Sequence, residues 1–297
     1  SSDLLVIVGD FDPAQIEAKV LAKFSGWQAR GPVGPDVPRG AISTTRPAAF
    51  RLFVDKDVPT SATLAVVKPY DMRADTRAKR GHDLIEGLAN AIVNRRIARL
   101  QNDPAAKFTG GSAGTGPFVS TAELSSISVT AKDRDWQSAL GTAEQEVRRA
   151  LTHGFTRGEL DEQLAAMRKS LENAVAQAPT RNSAALAEGI VGTLDDVRIF
   201  TTPQSGLDRF NAITPTITPE QVTAAFREAW SGANLLVHVA HNVAIDGGEK
   251  AVETAYRESA RVAVAAPVAT VSKAFAYTDF GTPGTIASDR RVEDLGI

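Results

Sequence analysis

The chain has 297 residues, 43% of them hydrophobic and 23% charged, a balance that belongs to a globular protein and suits two domains, or one large domain with fragments. Its 33 Lys and Arg against 35 Asp and Glu leave a net charge of -2, which offers no basic footprint for nucleic acid or an anionic membrane surface. With no Cys there is no disulfide framework, zinc ribbon, iron-sulfur ligation or thiol nucleophile, and the apolar runs LLVIV and LLV fall far short of the ~20 residues of a membrane span.

Ser2 to Asp10 reads as a buried strand, with neither the basic lead nor the small-residue cleavage site of a secretory signal. Pro13 at a first helical position opens a helix whose apolar face carries Ile16, Val20 and Phe24. GPVGPDVPRGAISTTRP then breaks regular structure and marks a domain boundary. Phe50 to Asp55 and Ser61 to Lys68 alternate like half-buried strands separated by Pro59, and Thr76 to Gln101 repeats Leu84, Leu88 and Ile92 along one broad helix face.

FTGGSAGTG and ELSSISVTAKD read as two strands of small residues joined near Gly116 and Pro117, with an uncertain register. Asp135 to His153 spaces Trp136, Leu140, Ala143, Val147 and Leu151 as a helix that Gly154 ends as a left-handed cap. Thr156 with Glu159 forms a capping box for a long helix through Leu160, Leu164, Met167 and Leu171. Thr218, Pro219 and Glu220 start another toward Val222, Phe226 and Trp230, and a strand at Leu235 closes the unit. Strands, a helix, strands, a run of helices and a last strand predict an α+β fold, an antiparallel-rich sheet with helices packed on one face.

DLLVIVGD at Asp3 to Asp10 aligns without a gap on NLLVHVAH at Asn234 to His241, matching Leu4, Leu5, Val6 and Val8 with Leu235, Leu236, Val237 and Val239. Val252 and Tyr256 then repeat the helix face of Val20 and Phe24. An offset of roughly 230 residues is too long for a solenoid and indicates homologous domains in tandem. The expected organisation is the closing strand and helix of a preceding domain over 1–30, a linker over 31–47, a complete domain over 48–262 and a linker toward a following domain over 263–297, with a turn at Pro283 and Gly284.

Few residues point to chemistry. The four histidines are His82, His153, His238 and His241, and no two sit four apart on one helix as paired zinc ligands would. His82 and Glu86 lie one helical turn apart, which suits either an acid and base pair or a solvated pair at a helix start. His238 and His241 sit three apart on a strand and point to opposite faces, as strand-end residues rather than joint ligands. GGSAGTG lacks the Lys of a phosphate loop and leads into a strand, VIVGD lacks the glycine spacing of a dinucleotide fold, and no Gly-x-Ser-x-Gly elbow exists. No catalytic, cofactor-binding or metal-binding residue is assigned.

VIVGDFDPAQIEAKVLAKFSGW, RRIARLQNDPAAKFTGGSAG, THGFTRGELDEQLAAMRKSLE and YTDFGTPGTIASDRRVEDLGI resemble, in turn, the closing strand and helix of a first domain, a helix-to-strand passage, a helical junction and a linker to a third domain in the pitrilysin or insulinase family of zinc metallopeptidases. The family's inverted His-x-x-Glu-His helix occurs nowhere here. Its substrate-holding Arg and Tyr pair is not carried over either, since the passage after Arg99 has Phe108 and no tyrosine. The resemblance implies a noncatalytic middle segment of a zinc endopeptidase that helps enclose peptide or unfolded protein, with zinc in another domain, homologous domains of the same chain as partners, and a periplasmic location. It leaves two other readings: a structural or partner subunit without peptidase activity, and a module binding peptide along a sheet edge.

Overall fold

The computed structural model describes residues 4–28, 31, 34, 40–119, 121–195, 198–232, 234–268, 281, 282 and 284–288. After helix α1 (Pro13–Phe24) come strands β1 (Ala49–Val54) and β2 (Ser61–Pro69), the long helix α2 (Arg77–Gln101), the hairpin β3 (Phe108–Phe118) and β4 (Ala122–Ala131), and helices α3 (Trp136–His153), α4 (Arg157–Ala176), α5 (Ser183–Asp195), α6 (Pro203–Ile213) and α7 (Pro219–Ala229). Strand β5 (Leu235–His241) and helix α8 (Gly248–Ser259) complete the order. The strands form one sheet, β1-β5-β2-β4-β3, in which β1 and β5 run parallel and every other pair antiparallel.

Strand alternation divides the sheet into two faces. Ala62, Leu64, Ile127, Val129, Val237 and Val239 share one face and are sealed beneath α2 and α3, together with Leu88, Ile92 and Leu140. Phe226 of α7 is 1% exposed and meets Phe155 edge-on with ring centroids 5.6 Å apart. Each such side chain contributes about 1.5–3 kcal/mol by burial. The other face carries Thr63, Ser126, Ser128 and His238, which stay partly exposed.

The predicted helix starts hold because each has its cap. Thr76 accepts from Lys79 N, Asp135 from Ser138 N, and both Thr156 and Thr218 form full capping boxes. A buried ion pair joins α2 to α4: Arg96 Nε and Nη2 reach the two Glu159 carboxylate oxygens at 2.6 and 2.9 Å, and Nη2 also donates to Gly154 O at 2.9 Å. Burial alone would raise the Glu159 carboxyl, but hydrogen bonds from Arg96 and Thr156 outweigh it and hold the group below its usual range.

Four expectations need correction. Leu4 to Val8 joins no ladder among the described residues; Leu4 and Leu5 are exposed, and α1 buries no residue. A strand is completed by its neighbours, and β5, its sequence match, has β1 and β2 on its two sides. Gly116 and Pro117 do not turn the chain but pair with Leu124 and Glu123 inside the hairpin, which reverses after Phe118. Proline lacks an N–H to give a ladder and is tolerated because β3 is an edge strand. Gly154 does end α3 at φ 68°, but with ψ -149° rather than a left-handed helical value, and a Cβ there would meet Thr223 Oγ1 at 2.5 Å. His238 lies mid-strand, paired with Arg51 and Thr63, because β5 begins at Leu235; His241 does end the strand. The predicted linkers and the turn at Pro283 fall largely on residues 29–39 and 269–297, most of which lie outside the described residues.

Candidate functional site

A group of titratable side chains lies where the start of α2, the end of β2 and the start of β4 converge. Alternation places Lys68 and Glu123, direct cross-strand partners, on the sheet face that α2 covers. The first turns of α2 bring His82, Asp83 and Glu86 over them, and Glu228 approaches from the end of α7. Together they line a recess of about 150 Å3.

The carboxylates here divide by their partners. Arg73 Nε hydrogen-bonds Asp71 at 2.9 and 3.1 Å and Lys79 Nζ stands 3.1 Å from it, which holds the Asp71 carboxyl well below its ordinary range despite partial burial. Glu86 has no such hydrogen-bonded cation among the described residues. Burial, and next the nearby Glu123 carboxylate, push Glu86 up to about 7, and Glu123 itself is raised by burial and by Asp71. The site therefore contains one carboxyl that titrates near neutrality beside a histidine.

That combination does not assemble an acid and base pair. His82 Nε2 lies 3.5 Å from Glu228 Oε2 and Nδ1 lies 3.9 Å from Asp83 Oδ1, so its ring addresses those two acids rather than Glu86. His238 projects onto the uncovered face, where burial lowers its pKa, while His241 is buried and its Nδ1 lies 2.7 Å from Val243 O and 3.1 Å from Val243 N. The two point apart as the strand period requires. His153 Nε2 stands 2.9 Å from Val264 O at the far end of α3. Among the described residues no group of three or more His, Asp and Glu is arranged to hold a metal ion, so a zinc ion, which needs at least three protein ligands, does not fit here.

Sequence reading singled out His82 and Glu86 but missed Glu123, Asp71 and Glu228, which only the fold brings to them. The single available signal was an acidic residue at a strand start otherwise made of small and apolar residues. The glycines of the GGSAGTG stretch serve packing: a Cβ on Gly111 would meet Ser128 O at 2.8 Å and Ile97 Cγ2 at 3.2 Å, so glycine lets α2 close on the sheet. Asn94 then brackets Ala113, accepting from its N at 2.6 Å and donating to its O at 2.9 Å, which occupies part of the β3 edge.

Comparison with solved structures finds this fold in proteases. The periplasmic protease PqqL from Escherichia coli matches with a TM-score of 0.78 at 19% identity over 91% of this chain and 30% of that one. A structure of the first half of the same protease matches at 0.75 and 18% identity, covering 88% of this chain and 56% of that one. A predicted insulinase family protease from Yersinia pestis matches at 0.68 and 12% identity, covering 84% and 54%. The chain thus spans about half or less of the length of the proteins it resembles. Comparison with curated proteins returns no match. The family model described as the Peptidase M16 inactive domain matches residues 4–167. That match takes in more than half of the sequence, and the chain belongs to the Peptidase M16 inactive-domain family.

Proposed function

We propose that this chain is a noncatalytic segment of a zinc-dependent metalloendopeptidase. It helps enclose and contact a peptide or unfolded protein while water is activated on zinc in another domain. The observation that carries the reading is the match of residues 4–167 to the family described as the Peptidase M16 inactive domain. The proposed organisation is the end of one domain over 1–30, a linker over 31–47, an inactive domain over 48–262 and a linker over 263–297. Exposed Leu4, Leu5, Leu21 and Trp27 support the first assignment, because an apolar strand and helix of this length bury their faces in some domain.

The periplasmic protease among the similar folds supports a periplasmic location, and no described helix is long and apolar enough to cross a membrane. The test is to clone the reading frame with its natural flanks, purify the parent protein and this chain separately, and measure bound zinc and cleavage of a fluorogenic peptide library. Zinc and cleavage in the parent, with neither in the chain, is the expected result. Cleavage by the chain alone overturns the reading. Neither zinc nor cleavage in the parent would instead assign a structural or partner subunit.

A further inference from the structure

A recess of about 860 Å3 lies on the opposite side of α2 from the acidic group, between α2, α4 and α6. Its walls differ sharply in character. Leu84, Met167, Leu171 and Ile213 form an apolar floor, while Arg77, Arg80, Arg198 and Arg209 stand around it against only Asp83 and Asp208.

The two acids are already engaged. Asp83 lies 3.1 Å from Lys79 Nζ and 3.7 Å from Arg198, and Asp208 accepts from Gln204 at 2.8 Å. Arg80 is likewise saturated: it pairs with Asp75 through Nε at 2.6 Å and through Nη2, and donates to Ile199 O at 2.6 Å. Arg77 has no hydrogen bond or ion pair among the described residues, and Arg209 has only a 3.4 Å contact from Nη1 to Ser205 Oγ. Burial, and after it the cations of Arg80, Arg77 and Arg198, disfavour the charged form of Arg209. A half-buried guanidinium in such surroundings is stabilised by an anion, and Arg209, held only by its long Ser205 contact, together with Arg77 on the same recess suits a carboxylate.

We propose that this recess binds the C-terminal residue of a peptide, its free carboxylate between Arg77 and Arg209 and an apolar last side chain on the floor made by Leu84, Met167, Leu171 and Ile213. The apolar floor selects this ligand over a plain inorganic anion, which would leave that surface wet. The site rests on the reading above that the chain contacts peptide, and gives that contact a polarity by fixing one end of the peptide.

The test is fluorescence anisotropy with labelled hexapeptides ending in Leu, each as free acid and as amide, titrated with the chain, with inorganic phosphate as competitor. The free acid should bind at least about tenfold more tightly than the amide, a difference in line with loss of charged hydrogen bonds. Arg209→Gln and Arg77→Gln should each bring the acid down toward the amide while the melting transition stays unchanged. An acid ending in Gly should bind more weakly than one ending in Leu. Equal binding of acid and amide, or variants that remain folded and bind the acid undiminished, would sink the carboxylate site while leaving peptide contact standing. Phosphate displacing the peptide at comparable concentration, or no binding by any peptide, would overturn the proposal. The zinc and cleavage measurements on the parent decide the broader reading separately.

Discussion

The two copies of the internal repeat share a sequence pattern but not a structural outcome. In the second copy, Leu235–His241 lies between β1 and β2, Val237 and Val239 are fully buried, and α8 seats Val252 in the core and Tyr256 against Phe50 at 5.6 Å between centroids. In the first, Leu4 to Val8 joins no ladder among the described residues, and α1 forms with its Asp12 cap yet buries no residue. A helix closes its own hydrogen bonds and needs only caps and spacing, whereas a strand is defined by what lies beside it. The same four apolar positions belong to a core strand in one setting and to a surface segment in the other.

Charge placed at equivalent positions should separate the copies most. Val237→Asp puts an unpaired carboxylate in the centre of the sheet and should cost more than about 4 kcal/mol, enough to abolish the urea unfolding transition, whereas Val6→Asp should leave the midpoint unchanged. Equal effects would show that the first copy is also part of the folded unit. The next largest effect concerns the ion pair that ties the second copy's domain together. Glu159→Ala strands Arg96 in the core and should cost about 3–5 kcal/mol, while the double change Arg96→Met with Glu159→Leu should recover most of that loss in the same urea titration.

Truncating the matched helix residues gives a finer contrast. Val252→Ala should cost about 2 kcal/mol, two methyl groups plus a residual cavity, and Val20→Ala less than about 0.5 kcal/mol. Calorimetric melting of the pair measures this directly, and a loss at Val20 as large as at Val252 would contradict the packing described.

The smallest effect is a pH dependence confined to the packed domain. Glu86 moves from 4.5 to about 7 on folding, so it holds its proton more tightly in the folded chain. Its contribution to stability is present in full below its unfolded value and is lost as pH rises between about 4.5 and 7. Asp71, Asp75 and Glu159 are shifted down instead, and their contributions disappear only at lower pH. Glu86→Gln should therefore raise the melting temperature at pH 8, leave it unchanged at pH 4 and flatten the slope between. A variant with the wild-type slope would reassign the titration to another group.

Local signals in the sequence were enough for most elements. Thr76, Asp135, Thr156 and Thr218 announced their helices because a cap acts within three residues, and the four-residue repeat of Leu84, Leu88 and Ile92 marked the face that α2 buries. What the sequence left open depends on distant residues. The reversal after Phe118 was misplaced because glycine and proline usually mark turns, and only the edge position of β3 frees Pro117 from that rule. In the same way Glu86 is legible as a neighbour of His82, while its raised carboxyl depends first on burial beneath the fold and next on Glu123, which strand pairing places opposite Lys68 in the same recess. The arginine recess was equally hidden, since Arg77 and Arg209 come from helices far apart in the sequence.

The insertion of β5 between β1 and β2 also sets an order of events during synthesis. The first strand of the domain finds its partner only when almost the whole domain has left the ribosome, because Ala49 pairs with Leu236 and Ser61 with Ala240. Until then the β2-β4-β3 part of the sheet can form, but β2 keeps an open border and β1 has nowhere to dock. Such late, long-range pairing is slow and leaves a nascent chain prone to association with its neighbours. The final strand therefore acts as the closing step of folding, and a chain interrupted ahead of Leu235 would be a substrate for chaperones rather than a smaller version of the domain.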